Sequence, residues 1–206
     1  MAHVRPAILL TLFFVVVTGL AFPVVVTALG HVAFPYQARG SLVQDASGTV
    51  VGSALIGQSF AKPQYFHPRP SAAGAGYDAA SSGGTNLGPT SDKLIHGIQD
   101  DPATRDVDET YPGLYDLARA YRTENGLAAD AVLPADAATR SASGLDPDIS
   151  PANAELQVAR VAKARGMRED RVRALVVRHT SGRTLGLFGE PRVNVLLLNI
   201  ALDTLH

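Results

Sequence analysis

The residues most suggestive of chemistry are Gly57-Gln58-Ser59-Phe60-Ala61, one glycine short of the G-x-S-x-G nucleophile elbow. An elbow exposes its serine on a sharp turn between a strand and a helix. Here Lys62-Pro63 follows, so the helix that should complete the turn is missing along with the last glycine. A membrane-anchored serine hydrolase outside the cytoplasm is the alternative this segment keeps open. The histidines His31, His67, His96 and His179 form no H-x-x-x-H or similar pair, and cysteine is absent, so neither zinc nor thiol chemistry is expected.

Ser82-Gly83-Gly84-Thr85 could present consecutive backbone N–H groups to a phosphate, but it sits in a Gly/Ser-rich stretch and reads equally as a loop. The chain has no Gly-x-x-x-x-Gly-Lys-Ser/Thr segment. Asp146-Pro147-Asp148 offers paired carboxylates, too few oxygens for a calcium or magnesium loop, and reads as a turn into the cap Ser150. Arg69, Arg160, Arg183 and Arg192 each adjoin glycine, proline or an apolar helix face. Forked hydrogen bonds that fix loops are the expectation there, and an interface role is the alternative.

The elements that must position these residues begin with a span free of Asp, Glu, Lys and Arg between Arg5 and Arg39. Its apolar core, 7–30, would make a helix of roughly 36 Å, enough to cross a hydrocarbon layer of about 30 Å. Pro23 removes one donor and is expected to kink the helix on its outer half. A cleaved leader ending near Ala28-Leu29-Gly30 is the alternative, but the run is longer than a leader's apolar region. Arg5 in a short N-terminal stub, with a long domain behind, places the domain outside the membrane.

Beyond the span, Leu42-Val43 and Val50-Val51, with Ala54-Leu55-Ile56 behind, predict a hairpin turned at Gly48-Thr49. Prolines 63, 68 and 70 forbid regular structure from Lys62 to Ser71, and 71–88 reads as irregular. A short helix is expected after Ser91, and another around Leu114, Leu117, Ala118 and Tyr121 stopped by Gly126. Ala131-Val132-Leu133 is expected to be a strand. Ser150-Pro151 opens a helix closed by Gly166, a second helix runs from Arg168 to about Arg178, and Val193, Leu196, Leu197, Ile200, Ala201 and Leu205 form the face of a last core helix. Five carboxylates against Arg105 mark 100–109 as a solvated loop. Lys plus Arg number 18 and Asp plus Glu 19, which leaves no basic surface for nucleic acid.

Four blocks resemble the C-subunit family of the bacterial Kdp potassium-transporting ATPase. The first is Gly57-Gln58-Ser59-Phe60 with Tyr65-Phe66-His67-Pro68-Arg69-Pro70-Ser71. The second is Ser82-Gly83-Gly84-Thr85-Asn86-Leu87-Gly88-Pro89-Thr90. The third is Ser143-Gly144-Leu145-Asp146-Pro147-Asp148-Ile149-Ser150-Pro151 with Ala154-Glu155, Gln157, Val158 and Arg160-Val161-Ala162. The fourth is His179-Thr180 through Gly182-Arg183-Thr184-Leu185-Gly186, then Gly189-Glu190-Pro191-Arg192-Val193-Asn194-Val195 with Leu198-Asn199. The resemblance implies a non-catalytic subunit of a high-affinity potassium importer. Its partners would be a channel-like potassium-binding subunit, a P-type ATPase subunit and a small single-span subunit. ATP, magnesium and potassium are used by the complex, and this chain is expected to bind no cofactor directly, although the family's Ser-Gly-Gly loop is linked to ATP affinity.

The fold expected is α+β, with a stub and membrane helix in 1–34 and one extracytoplasmic mixed domain in 35–206. Interface or motif candidates are Gln58, Tyr65, Phe66, Arg69, Ser82, Gly83, Gly84, Asn86, Asp146, Gln157, Arg160, Arg192 and Asn194. Tyr65, Phe66, Arg69 and Asn86 are the expected outer docking surface, with burial of both aromatics the alternative.

Overall fold

A computed structural model describes residues 3–45, 47–98 and 110–205, so the acidic segment 100–109 lies outside the described residues. The chain divides into two units, Met1–Ser53 and Ala54–His206. The first opens with a helical run of 30 residues, Val4–Ala33, with a mean hydropathy of 2.6 in its most apolar window and no buried residue. An apolar surface on every side of a helix suits a hydrocarbon surround, where the backbone must bond to itself. The run comprises α1 (Val4–Val16), a π-helical turn (Val17–Ala21) and α2 (Phe22–Ala33).

Pro23 explains the wide turn. Its ring has no N–H to give the carbonyl one turn back and crowds that carbonyl, and a π turn opens the spacing just before it. Where a kink is expected at Pro23, the helix carries this π turn immediately before it. Thr18 Oγ1 donates to Phe14 O at 2.7 Å, so its hydroxyl is satisfied within its own helix. After the short helix α3 (Pro35–Ala38), strands β1 (Leu42–Gln44) and β2 (Val50–Ser53) pair antiparallel. The turn between them is held by Asp45 Oδ1, which accepts from Ser47 N and Thr49 N at 2.9 and 3.0 Å. Ala54-Leu55-Ile56 falls outside the hairpin, in a turn.

In the second unit, α6 (Pro151–Arg165) is the spine of the core. Ser150 Oγ accepts from Asn153 N at 3.1 Å, Pro151 takes the first turn where no donor is needed, and Gly166 ends the helix at φ +63°. Ala154, Val158, Val161 and Ala162 recur at helical spacing and are at most 1% exposed. Burying each valine stabilises by about 1.5–3 kcal/mol. They pack with Val172, Leu175 and Val176 of α7 (Glu169–Arg178) and Val195, Leu198 and Leu202 of α8 (Val195–Asp203). A three-stranded antiparallel sheet backs them, with β7 (Arg192–Asn194) between β5 (Asp148–Ile149) and β6 (Thr180–Ser181).

The last helix corrects the sequence reading in register. Val193 is a sheet residue with no exposed surface; the face α8 buries is Val195, Leu196, Leu198, Asn199 and Leu202, while Leu205 is 39% exposed. A run apolar on all sides gives no phase, and Asn194, whose Oδ1 accepts from Leu197 N at 3.1 Å, sets where the helix starts.

The segment between the units' main helices is loop-rich. Ser91 caps α4 (Asp92–His96), and β3 (Gly97–Ile98) pairs with β4 (Tyr111–Pro112) ahead of α5 (Leu114–Glu124). Neither helix nor strand occurs from Lys62 to Ser71, and 71–88 holds one 3-10 turn, Ala79–Ser81. The strand expected at Ala131–Leu133 does not form. Ala131 O accepts from Arg122 Nε at 3.0 Å rather than from a ladder, and Val132 is 91% exposed. Helices interleaved with short antiparallel strands make the architecture α+β.

Candidate functional site

The prolines in 63–70 deny this segment strand partners, so its peptide groups must bond to side chains. Two amides do most of this. Asn199 Oδ1 accepts from Phe66 N at 2.8 Å, and its Nδ2 donates to Phe66 O at 2.9 Å. One residue on, Gln157 Oε1 accepts from His67 N at 2.7 Å, and its Nε2 donates to His67 O at 3.0 Å. Arg160 extends the clasp: Nη1 donates to Pro63 O and Tyr65 O at 2.7 and 2.9 Å, Nη2 to Gln157 Oε1, and Nε to Asn125 Oδ1. Arg165 Nε holds Gln64 O at 2.7 Å, and its guanidinium lies 5.1 Å from the centre of the Tyr65 ring. Phe66 and Gln157 have no exposed surface and Asn199 1%, so these bonds form out of water, where leaving one unmade is expensive.

The second half of the strap turns back on the 140s. Arg69 Nη1 meets Asp146 Oδ2 at 2.7 Å. Asp146 Oδ1 accepts from Asp148 N at 3.0 Å, so the pair of carboxylates is a turn with a cation on it. Ser71 Oγ donates to Gly144 O at 2.6 Å and accepts from Tyr77 N at 2.9 Å. The Ser-Gly-Gly loop lies on the same segment. Gly83 N donates to Ser143 O at 2.9 Å, and Ser82 Oγ reaches the same oxygen at 3.0 Å. A Cβ on Gly84 would fall 2.8 Å from Ala142 O, closer than side chains tolerate. Gly84 therefore lets two backbones approach, and the Gly83 amide is occupied.

A groove of about 340 Å³ runs beside the strap, bounded by Ser59, His67, Arg69, Tyr77, Tyr121 and Glu124. His67 bridges it, with Nδ1 2.7 Å from Glu124 Oε1 and Nε2 3.0 Å from Lys62 O. The hydrogen bond from His67 holds the Glu124 carboxyl below its ordinary value against the opposing effect of burial. Burial pushes the phenols of Tyr77 and Tyr121 well up, so both stay neutral donors; Tyr121 gives its proton to Asn153 Oδ1 at 2.7 Å. Ser59 is followed by irregular chain and a turn, without the helix an elbow requires. The arrangement can hold chain segments in register.

The family model for the c chain of the K+-transporting ATPase, KdpC, matches residues 4–204, through both units. The chain belongs to the KdpC family. A protein named potassium-transporting ATPase KdpC subunit from Caulobacter sp. (strain K31) is 53% identical over 203 residues, 98% of this chain and 94% of that one. The KdpC subunit of Koribacter versatilis (strain Ellin345) is 49% identical over 197 residues, 96% and 92% of the two chains. That of Mycobacterium bovis (strain BCG / Pasteur 1173P2) is 48% identical over 200 residues, 97% of each.

In this KdpC-family chain the candidate residues do not form one site. Tyr65, Phe66, Arg69, Asp146, Gln157 and Arg160 meet along the strap, and Ser82, Gly83 and Gly84 abut 142–144. Arg192, 3.2 Å from Asp148, and Asn194, whose Nδ2 donates to Ala54 O at 2.9 Å, belong to the sheet. Asn86 is exposed, at φ +54°. Gln58 lies in irregular chain just ahead of the strap.

Phe66 corrects the expected docking surface: it belongs to the core cluster, drawn in because its own peptide is clasped by Asn199. Asn199, Asn153, Asn125 and Glu124 were not among the sequence candidates. For Asn199 a signal exists, a lone amide in the apolar run Val195–Ala201, since buried amides must find partners.

Proposed function

We propose that this chain is a non-catalytic subunit of an ATP-driven potassium importer, joining and stabilising a channel-like potassium-binding subunit and a P-type ATPase subunit that hydrolyses ATP, alongside a small single-span subunit. The match to KdpC over residues 4–204 carries this reading. The interior is in keeping with it, because Gln157, Arg160 and Asn199 give their polar groups to the chain's own backbone, as a scaffold would.

The apolar run Val4–Ala33 fastens the chain in the bacterial plasma membrane, with the stub in the cytoplasm and residues 35–206 outside. A short stub carrying Arg5 ahead of a long domain favours that orientation. Cytoplasmic ATP then cannot meet Ser82–Asn86, and any effect of that loop on nucleotide affinity passes through the complex. Attachment is by two points, the helix and the outer domain, each holding the other at high local concentration. Of the docking residues proposed, Asn86 is exposed, Tyr65 and Arg69 are half-buried and engaged with Asp203 and Asp146, and Phe66 is withdrawn into the core.

Purification of the tagged full-length chain in mild detergent from potassium-starved cells tests this. Two large multi-span proteins are expected with it, and recovery of the chain alone from intact membranes contradicts the proposal.

A further inference from the structure

Between β6 and β7 the chain makes a tight hairpin whose tip carries its apolar side chains outward. Leu185 is 89% exposed, Leu187 69% and Phe188 61%. This tip is ordered by its own bonds. Thr184 and Phe188 exchange backbone hydrogen bonds at 2.8 and 2.9 Å, Gly186 N donates to Arg183 O, and Leu187 N donates to Thr184 O. Below it, Arg183 Nη2 grips both carboxylate oxygens of Glu190 at 2.9 and 2.7 Å. Leu185 holds φ +55°, in the left-handed region where a branched side chain is strained and glycine or asparagine is usual. A strained, bare leucine on an ordered loop points to a purpose in presenting it.

We propose that Leu185, Leu187 and Phe188 form a second, shallow membrane contact, seated at the boundary between headgroups and acyl chains of the bilayer that Val4–Ala33 crosses. The proposal rests on the reading that Val4–Ala33 crosses a bilayer. Four observations favour lipid over a pocket on a protein. Four of the five amides in 184–188 are bonded inside the hairpin, which lowers the cost of moving the tip to the headgroup boundary. The exposed residues are leucine and phenylalanine, which partition into the interface, whereas leucine is under-represented at protein hot spots. No charge falls between Arg183 and Glu190. Finally, the membrane helix is covalently joined to the domain, so a bilayer is always at high local concentration and a weak apolar contact suffices.

The chain lacks tryptophan, so a single substituted one reports its own surroundings. Full-length L185W and F188W are placed in phosphatidylcholine–phosphatidylglycerol vesicles containing acyl-brominated lipid. Controls are V24W, inside the apolar helix, and V132W, at a position 91% exposed elsewhere in the domain. The expected result is a blue-shifted emission and loss of intensity to bromolipid for L185W, F188W and V24W, with V132W quenched only by aqueous iodide. If L185W and F188W behave like V132W while V24W is quenched, the tip is out of the bilayer and the proposal fails with the membrane anchor intact. If V24W also escapes bromolipid, the anchor reading and the proposal fall together. If the tip is shielded from iodide only when partner subunits are co-reconstituted, it fits a protein surface and the bilayer contact is wrong.

Discussion

Asn199 grasps Phe66 by both edges of its backbone, accepting from the N–H at 2.8 Å and donating to the C=O at 2.9 Å, with Asn199 1% exposed and Phe66 completely enclosed. A leucine at 199 would fill similar space and strand both groups of Phe66 out of water, at about 1–3 kcal/mol for each. Asn199→Leu is therefore expected to lower Tm by several degrees, since a domain this size shifts about 2–4 °C per kcal/mol. Thermal unfolding followed by circular dichroism checks it. An unchanged Tm would show that the clasp does not hold the strap.

Arg160 makes the same point through geometry rather than charge. Its fork meets Pro63 O, Tyr65 O, Gln157 Oε1 and Asn125 Oδ1 from three nitrogens, an arrangement a lysine ammonium cannot copy. Arg160→Lys is expected to destabilise nearly as much as Arg160→Ala in denaturant melts. Equal stability of the lysine variant and the parent would mean that charge alone matters there.

These two residues also show how far the sequence could be read. The helix from Pro151 was legible because cap, first-turn proline, apolar spacing and terminal glycine all lie within one short segment and agree. The hairpin at Leu42–Ser53 was legible for the same local reason. Burial of Phe66 was not, because Asn199, which clasps it, and Gln157, which clasps His67, lie 133 and 90 positions from those residues, and the strap has no period to reveal an inner face. The structural use of Arg69 and Arg160 was anticipated from residue type, but not which carbonyls they hold. Ala131–Leu133 failed as a strand because the composition was right and no neighbouring edge exists; Arg122 takes the Ala131 carbonyl instead.

Acid should loosen the strap through Glu124. Its carboxyl is held below the ordinary glutamate value chiefly by the hydrogen bond from His67. A carboxyl with a lowered folded pKa contributes stability that is full above its unfolded value, near pH 4.5, and is lost as pH falls through the lowered one. Chemical-denaturation stability measured from pH 7 downward should fall less steeply in Glu124→Gln than in the parent. Parallel curves would show that the His67 contact contributes nothing to acid sensitivity.

The Ser82–Gly84 loop offers a test that separates packing from nucleotide contact. A Cβ at 84 would meet Ala142 O at 2.8 Å, so Gly84→Val should displace the loop and lower stability, whereas Ser82→Ala removes one exposed hydrogen bond and should shift stability by no more than about 0.5 kcal/mol. Neither isolated variant is expected to differ from the parent in ATP binding by calorimetry, because the parent should bind none. Saturable ATP binding to the parent that Ser82→Ala abolishes would contradict the assignment of this loop to packing.

The most direct test of the central claim is potassium-stimulated ATP hydrolysis by complexes purified from cells with and without this chain. The account predicts no hydrolysis by the chain alone, reduced assembly and activity in complexes lacking it, and recovery when the purified full-length chain is restored. ATP hydrolysis by the isolated chain, or full potassium-stimulated activity without it, would contradict the account.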